Sequence, residues 1–200
     1  YVNDMAMLLA RIDAERIDWV GTSMGGLIGI FLASYTGSPI HKMVINDIGP
    51  RIPAAGLQRV ATYVGQVVTF DSIEKMEKFL RTIAATFGNL SDEQWRHMTI
   101  HGARQLEDGR YTFAYDPGIA KNFRTLDLKD IDLWSMWDAI HCPTLVLRGE
   151  HSDVLDHADA VIMTERGPKA TLIEFPGMGH APALMANDQI AVVRDWLLAD

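Results

Sequence analysis

The chain has one cysteine, Cys142, in 200 residues. A lone thiol excludes an internal disulfide and fits a reducing compartment, so a cytoplasmic location is expected. Basic residues are outnumbered, with 18 Lys and Arg against 26 Asp and Glu and a formal net charge of −8. Phosphate binding needs concentrated Lys and Arg, so no nucleic-acid partner is expected. No apolar run approaches the length of a membrane span, which argues against a membrane partner. There is no dinucleotide fingerprint, no phosphate-binding loop, no internal repeat and no low-complexity segment. The first residue is Tyr1 rather than Met, and no signal peptide is visible.

What is present suits a globular domain with a sizeable core, since 48% of the residues are hydrophobic. Strand and helix signals alternate at both ends. Met5, Leu8, Leu9 and Ile12 fall at helical spacing, with Asn3 or Asp4 as a cap. Short apolar strands are expected at 17–20 and 40–46, and again at 143–149 and 170–175. Helices are expected from Leu27 onward, over 156–166, and from Asn187 with Ile190, Val193 and Leu197 on one face. Such alternation with short connections implies a parallel sheet covered by helices.

Residues 51–139 read differently. Asp71 with Glu74, and Ser91 with Gln94, have capping-box spacing. Ile73, Met76, Leu80, Ile83 and Phe87 recur at helical spacing, and Asp108-Gly109 and Asp116-Pro117-Gly118 mark turns. No strand of comparable strength stands out, so a mainly helical insertion between two sheet strands is expected.

The chemistry centres on Gly21-Thr22-Ser23-Met24-Gly25, a G-x-S-x-G motif between an expected strand and an expected helix. That context makes it a nucleophile elbow, in which a tight turn projects the Ser hydroxyl clear of the sheet. The glycines two before and two after Ser23 are expected to let the backbone pass closely. A Ser hydroxyl needs a base, usually a His oriented by a carboxylate. Asp153 and His180 each lie just past an expected strand, where parallel sheets place their ligands, and the order Ser, Asp, His fits this fold. Glu150, Asp156 and Asp47, the last at the end of the earlier strand, are the carboxylates that could be mistaken for Asp153. His151, Asp153, Asp156 and His157 cluster in sequence but lack recognised metal-ligand spacing, so neither a metal nor any other cofactor is expected. His101-Gly102 falls in a helical stretch, not after a strand, and is rejected as an oxyanion loop. Trp134, Met136 and Trp137 are expected to pack the insertion on the core.

These motifs resemble the α/β-hydrolase superfamily, and the resemblance covers essentially the whole chain. It implies an α/β fold with the last four strands of a mostly parallel sheet in residues 1–50 and 140–200. Residues 51–139 stand where this family inserts a helical cap. It further implies Ser23 as nucleophile, Asp153 as acid, His180 as base and the Met24 N–H as an oxyanion donor. Ser23-Met24-Gly25-Gly26 and Arg148-Gly149 with Ser152-Asp153 are similar to bacterial esterases, enol-lactonases and carbon-carbon bond hydrolases. The strands that precede the elbow strand in a complete member are missing, and with them the His-Gly loop that gives a second oxyanion N–H. A fragment of a larger protein is therefore expected, with an open sheet edge available for self-association.

The expected activity is hydrolysis of a small-molecule ester, thioester or lactone through an acyl-enzyme. Two alternatives stand beside it. One is carbon-carbon bond hydrolysis of a diketone-type substrate, for which Arg51 is either the basic group facing the enolate or, equally, a surface residue at the start of the insertion. The other is a non-catalytic small-molecule receptor on the same fold. Trp95, Phe113, Tyr115 and Phe123 could line a pocket, though each is an equally good packing residue.

Overall fold

The structure, a computed structural model, describes residues 1–121 and 129–199. Four parallel strands form the central sheet: β1 (Ile17–Thr22), β2 (Ile40–Asn46), β7 (Thr144–Gly149) and β8 (Thr171–Phe175), in the spatial order β1-β2-β7-β8. Val20 lies opposite Val44, Ile45 opposite Val146, and Leu147 opposite Ile173. β2 and β7 are central and buried almost throughout, and their apolar stretches Met43-Val44-Ile45 and Leu145-Val146-Leu147 are what a sheet covered on both faces requires. Residues alternate between the faces. Met43, Ile45 and Val146 join one core cluster, with Ile30, Leu32, Trp137 and Met163. Val44, Leu145 and Leu147 join the other, with Phe175. Among the described residues β1 is paired on one side only, with β2, and Val20 is half exposed.

The helices follow the expected alternation. α1 (Val2–Ile12) precedes β1, and α2 (Met24–Ser34) follows the elbow. Tyr1 stands at the cap position of α1 in place of Asn3 or Asp4. α7 (His157–Met163) is shorter than the periodicity predicts, because residues 164–168 leave the helix in turns and bends, with Gly167 at φ +55. α8 (Asn187–Leu198) buries Gln189 and packs Val192, Val193, Trp196 and Leu197 on the sheet. Ile190, expected on that face, is 47% exposed.

Between β2 and β7 lie α3 (Ala54–Ala61), α4 (Ile73–Ile83) and α5 (Asp92–Gly102). α5 starts with the expected Ser91–Gln94 capping box. The cap of α4 is Ser72, whose hydroxyl accepts from Lys75 N–H, while Asp71 pairs with the Lys75 ammonium. Two antiparallel pairs also occur: β3 (Arg51–Ile52) with β6 (Ile131–Asp132), and β4 (Ala103–Gln105) with β5 (Tyr111–Phe113). These strands of two or three residues are too short to leave a periodicity in the sequence. α6 (Trp134–Asp138) returns to the core, where Trp137 is fully buried and donates its indole N–H to Arg166 O.

Candidate active site

Ser23 joins β1 to α2 at φ 51 and ψ −116, far from the regions an L-residue occupies readily. Its N–H donates to Asn46 O at 2.9 Å, fastening the turn to the end of β2. The close approach is made by Gly21 and Gly26. A Cβ on Gly21 would overlap the Gly25 carbonyl, and one on Gly26 would overlap Ile48. Gly25 is different from the expectation, because a Cβ there meets nothing within 4 Å. Its carbonyl instead accepts the Trp19 indole N–H at 3.0 Å. Gly21→Ala should therefore cost about 3 kcal/mol of stability, since backbone atoms cannot move aside. Gly25→Ala should cost less than about 1 kcal/mol. Urea unfolding of the two variants checks this, and equal midpoints would refute it.

His180 sits in the loop after β8 and is buried. Its Nε2 lies 2.9 Å from Ser23 Oγ and its Nδ1 lies 2.8 Å from Asp47 Oδ2. A carboxylate accepts, so Nδ1 carries the proton and Nε2 is free to accept from the Ser23 hydroxyl. The region between β2 and β7 braces this loop. Gly179 N–H donates to Thr86 O at 2.8 Å, Thr86 Oγ1 donates to His180 O at 3.2 Å, and Gln94 Nε2 donates to Met185 O at 2.7 Å.

The carboxylate beside His180 is Asp47, not Asp153. Asp47 follows β2 at φ 59 and is fully buried. Its Oδ1 accepts from Gly149 N–H at 2.8 Å, and its Oδ2 accepts from Ser152 Oγ at 2.7 Å as well as from His180. Asp153 points outward to Arg59 of α3 in a two-pronged ion pair, with Arg59 Nη2 2.8 Å from Oδ1. The hydrogen bond to Asp153 holds the Arg59 guanidinium above its ordinary pKa, against partial burial, and the carboxylate charge adds to it. A Cβ on Gly56 would overlap Asp153 O, so α3 packs directly against this loop, and the same helix carries Arg59 to the Asp153 carboxylate. The neighbouring acids are also engaged elsewhere. Glu150 accepts from Gly177 N–H at 2.8 Å, and Asp156 faces Arg51 at 3.6 Å.

Met24 is the first residue of α2, so its N–H has no acceptor within the helix and stands next to Ser23. Arg51 is held by Asp130 at 2.8 Å and Asp159 at 3.2 Å. Its pKa is raised by the hydrogen bond to Asp130 and then by the charge of Asp159. Trp95 is buried, with the Arg81 guanidinium 5.5 Å from its ring centre. Phe113 and Tyr115 line an apolar cavity of about 310 Å³ with Tyr63, Phe79 and Ile83; Ser23 is not among its lining residues. Phe123 lies outside the described residues. Among the described residues no three His, Cys, Asp or Glu are grouped to hold a metal ion, and no helix is long and apolar enough to cross a membrane.

The pattern of the alpha/beta hydrolase family matches residues 2–193. The chain belongs to that family. It is 38% identical over 207 residues to the 3-hydroxybutyrate-oligomer hydrolase of Cupriavidus necator, covering 98% of this chain and 70% of that protein. Identity to an esterase of Mycobacterium tuberculosis is 24% over 150 residues, or 74% of this chain and 48% of that one. The crystal structure of an alpha/beta hydrolase from Novosphingobium aromaticivorans superimposes with a TM-score of 0.86 at 34% identity, covering 98% of this chain and 70% of that one. Hydrolysis is the activity these named relatives share.

Proposed function

We propose that the protein is a serine hydrolase of carboxylic esters, thioesters or lactones, with Ser23 as nucleophile, His180 as base and Asp47 as acid. The observation that carries this reading is the unbroken relay from Ser23 Oγ through His180 to Asp47, each contact within 2.9 Å. Ser23 attacks the carbonyl carbon as its proton passes to His180 Nε2. The oxyanion is held by Met24 N–H at the start of α2, where the helix dipole also favours negative charge. The tetrahedral intermediate then expels the alcohol or thiol, which takes the proton from His180. Water, deprotonated by the same His, attacks the acyl-enzyme and returns Ser23. Throughout, Asp47 fixes the Nδ1–H tautomer and faces the imidazolium as it forms.

Residues 51–139 serve in this reading as a cap that excludes bulk water from the acyl-enzyme. The Cupriavidus relative is named for oligomers of a hydroxy acid, whose units are joined by ester bonds, and short oligoesters are accordingly the first substrates to assay. Arg51, the basic residue considered for the carbon-carbon alternative, is ion-paired with Asp130 and Asp159.

A fluorophosphonate probe tests the proposal. It should add one phosphonyl group to the full-length protein, seen as a single mass increment on the peptide carrying Ser23 and absent from Ser23→Ala. Labelling elsewhere, or none, would remove the support for Ser23 as nucleophile.

A further inference from the structure

Ser152 takes no part in the chemistry just described, yet its side chain is buried at the centre of the site. Its Oγ lies 2.7 Å from Asp47 Oδ2, 3.1 Å from Leu155 N and 3.3 Å from Val154 N. The two amides can only donate, so both lone pairs of the hydroxyl are engaged by backbone N–H groups. The one remaining direction sends the Ser152 proton to Asp47 Oδ2. That is the same oxygen that faces His180 Nδ1, while Oδ1 takes Gly149 N–H. Two strand-end loops therefore give this carboxylate three donors, and turning it would break all of them.

The loop holding Ser152 is itself tied down from within the sheet. Arg148 of β7 is buried, and its guanidinium donates to Leu155 O at 2.8 Å, Glu150 O at 3.2 Å and Glu174 Oε2 at 3.1 Å. These bonds close residues 150–155 around the guanidinium, so the amides that orient the Ser152 hydroxyl are fixed before substrate arrives.

We infer that Ser152 is a positioning residue: it acts through Asp47, setting the carboxylate's angle and drawing off part of the charge that faces His180. The inference rests on the Ser23-His180-Asp47 reading. With the hydroxyl gone, more negative charge faces Nδ1–H and the imidazolium is favoured.

The test measures ester hydrolysis by full-length variants. Ser152→Ala should lower kcat about tenfold, the effect of losing one hydrogen bond to a charged group, and leave KM within about twofold. The acidic limb of its kcat/KM profile should move to higher pH, and the low-field proton resonance of His180 Nδ1–H should shift. Ser152→Thr keeps the hydroxyl and should retain kcat within about threefold. If Ser152→Ala does not unfold cooperatively, Ser152→Cys, a weaker donor of similar size, should show the same direction of pH shift. Wild-type kcat and pH profile in a folded Ala or Cys variant would overturn the inference, as would a Thr variant impaired as severely as Ala. Failure of the underlying reading looks different, because Ser23→Ala and Asp47→Asn would then retain turnover.

Discussion

Replacing Ser23 with Ala should lower hydrolysis of a short-chain p-nitrophenyl ester or hydroxy-acid oligoester about 10⁴-fold or more, with the fold intact. The reason is chemical. Without Oγ there is no atom to form the acyl-enzyme, and His180 Nε2 loses the partner it contacts at 2.9 Å. The truncation also removes little packing, because Ser23 is only partly buried and its backbone turn is held by Asn46 O and by Gly21 and Gly26. Urea unfolding should therefore stay within about 1 kcal/mol of the parent, although Ala tolerates φ 51 no better than Ser does. A variant that keeps more than a tenth of the parental kcat/KM would show that another group performs the attack.

The second large effect separates two carboxylates. Asp47→Asn should lower kcat about 10⁴-fold, whereas Asp153→Asn should leave it within about twofold. Asp47 presents acceptors on both sides, to His180 and Ser152 on Oδ2 and to Gly149 N–H on Oδ1. An amide cannot match both. If its NH₂ faces His180, Nδ1 must become the acceptor and Nε2 then carries a proton toward Ser23, the wrong tautomer for a base. If the NH₂ faces Gly149, two donors meet in a buried space and the fold is weakened instead. Asp153, by contrast, shares its charge with Arg59 at the surface, where ion pairs contribute little. Steady-state kinetics on the two variants decide the matter, and a large loss in Asp153→Asn with activity retained in Asp47→Asn would reverse the assignment of the acid.

This pair of residues also marks where sequence reading stops. Four carboxylates, Asp47, Glu150, Asp153 and Asp156, stand just past strand ends, and proximity in the chain does not separate them. A usable signal did exist. Asp47 is flanked by Ile45-Asn46 and Ile48-Gly49-Pro50, without a charged neighbour, while Asp153 sits among Glu150, His151, Asp156 and His157. A carboxylate embedded in apolar sequence must find donors inside the protein, because burying it without them is costly. One among charged residues can face water or an ion pair instead.

The sequence alone determined the parts whose cause is local. The elbow follows from the G-x-S-x-G motif between a strand and a helix, and the parallel sheet from apolar runs of strand length separated by helical spacing. The loop that carries His180 was legible because Gly177, Gly179 and Pro182 lie just past β8. Only the tertiary structure decided which acid turns inward. That choice depends on Arg59 of α3 meeting Asp153 from 94 residues away, and on Gly149 and Ser152 converging on Asp47 from 102 and 105 residues away. Only the tertiary structure, too, reveals the bracing of the His180 loop by Thr86, 94 residues distant. Interactions over such separations leave no periodicity in the chain, because they are set by how helices and loops pack on the sheet rather than by any neighbour in sequence.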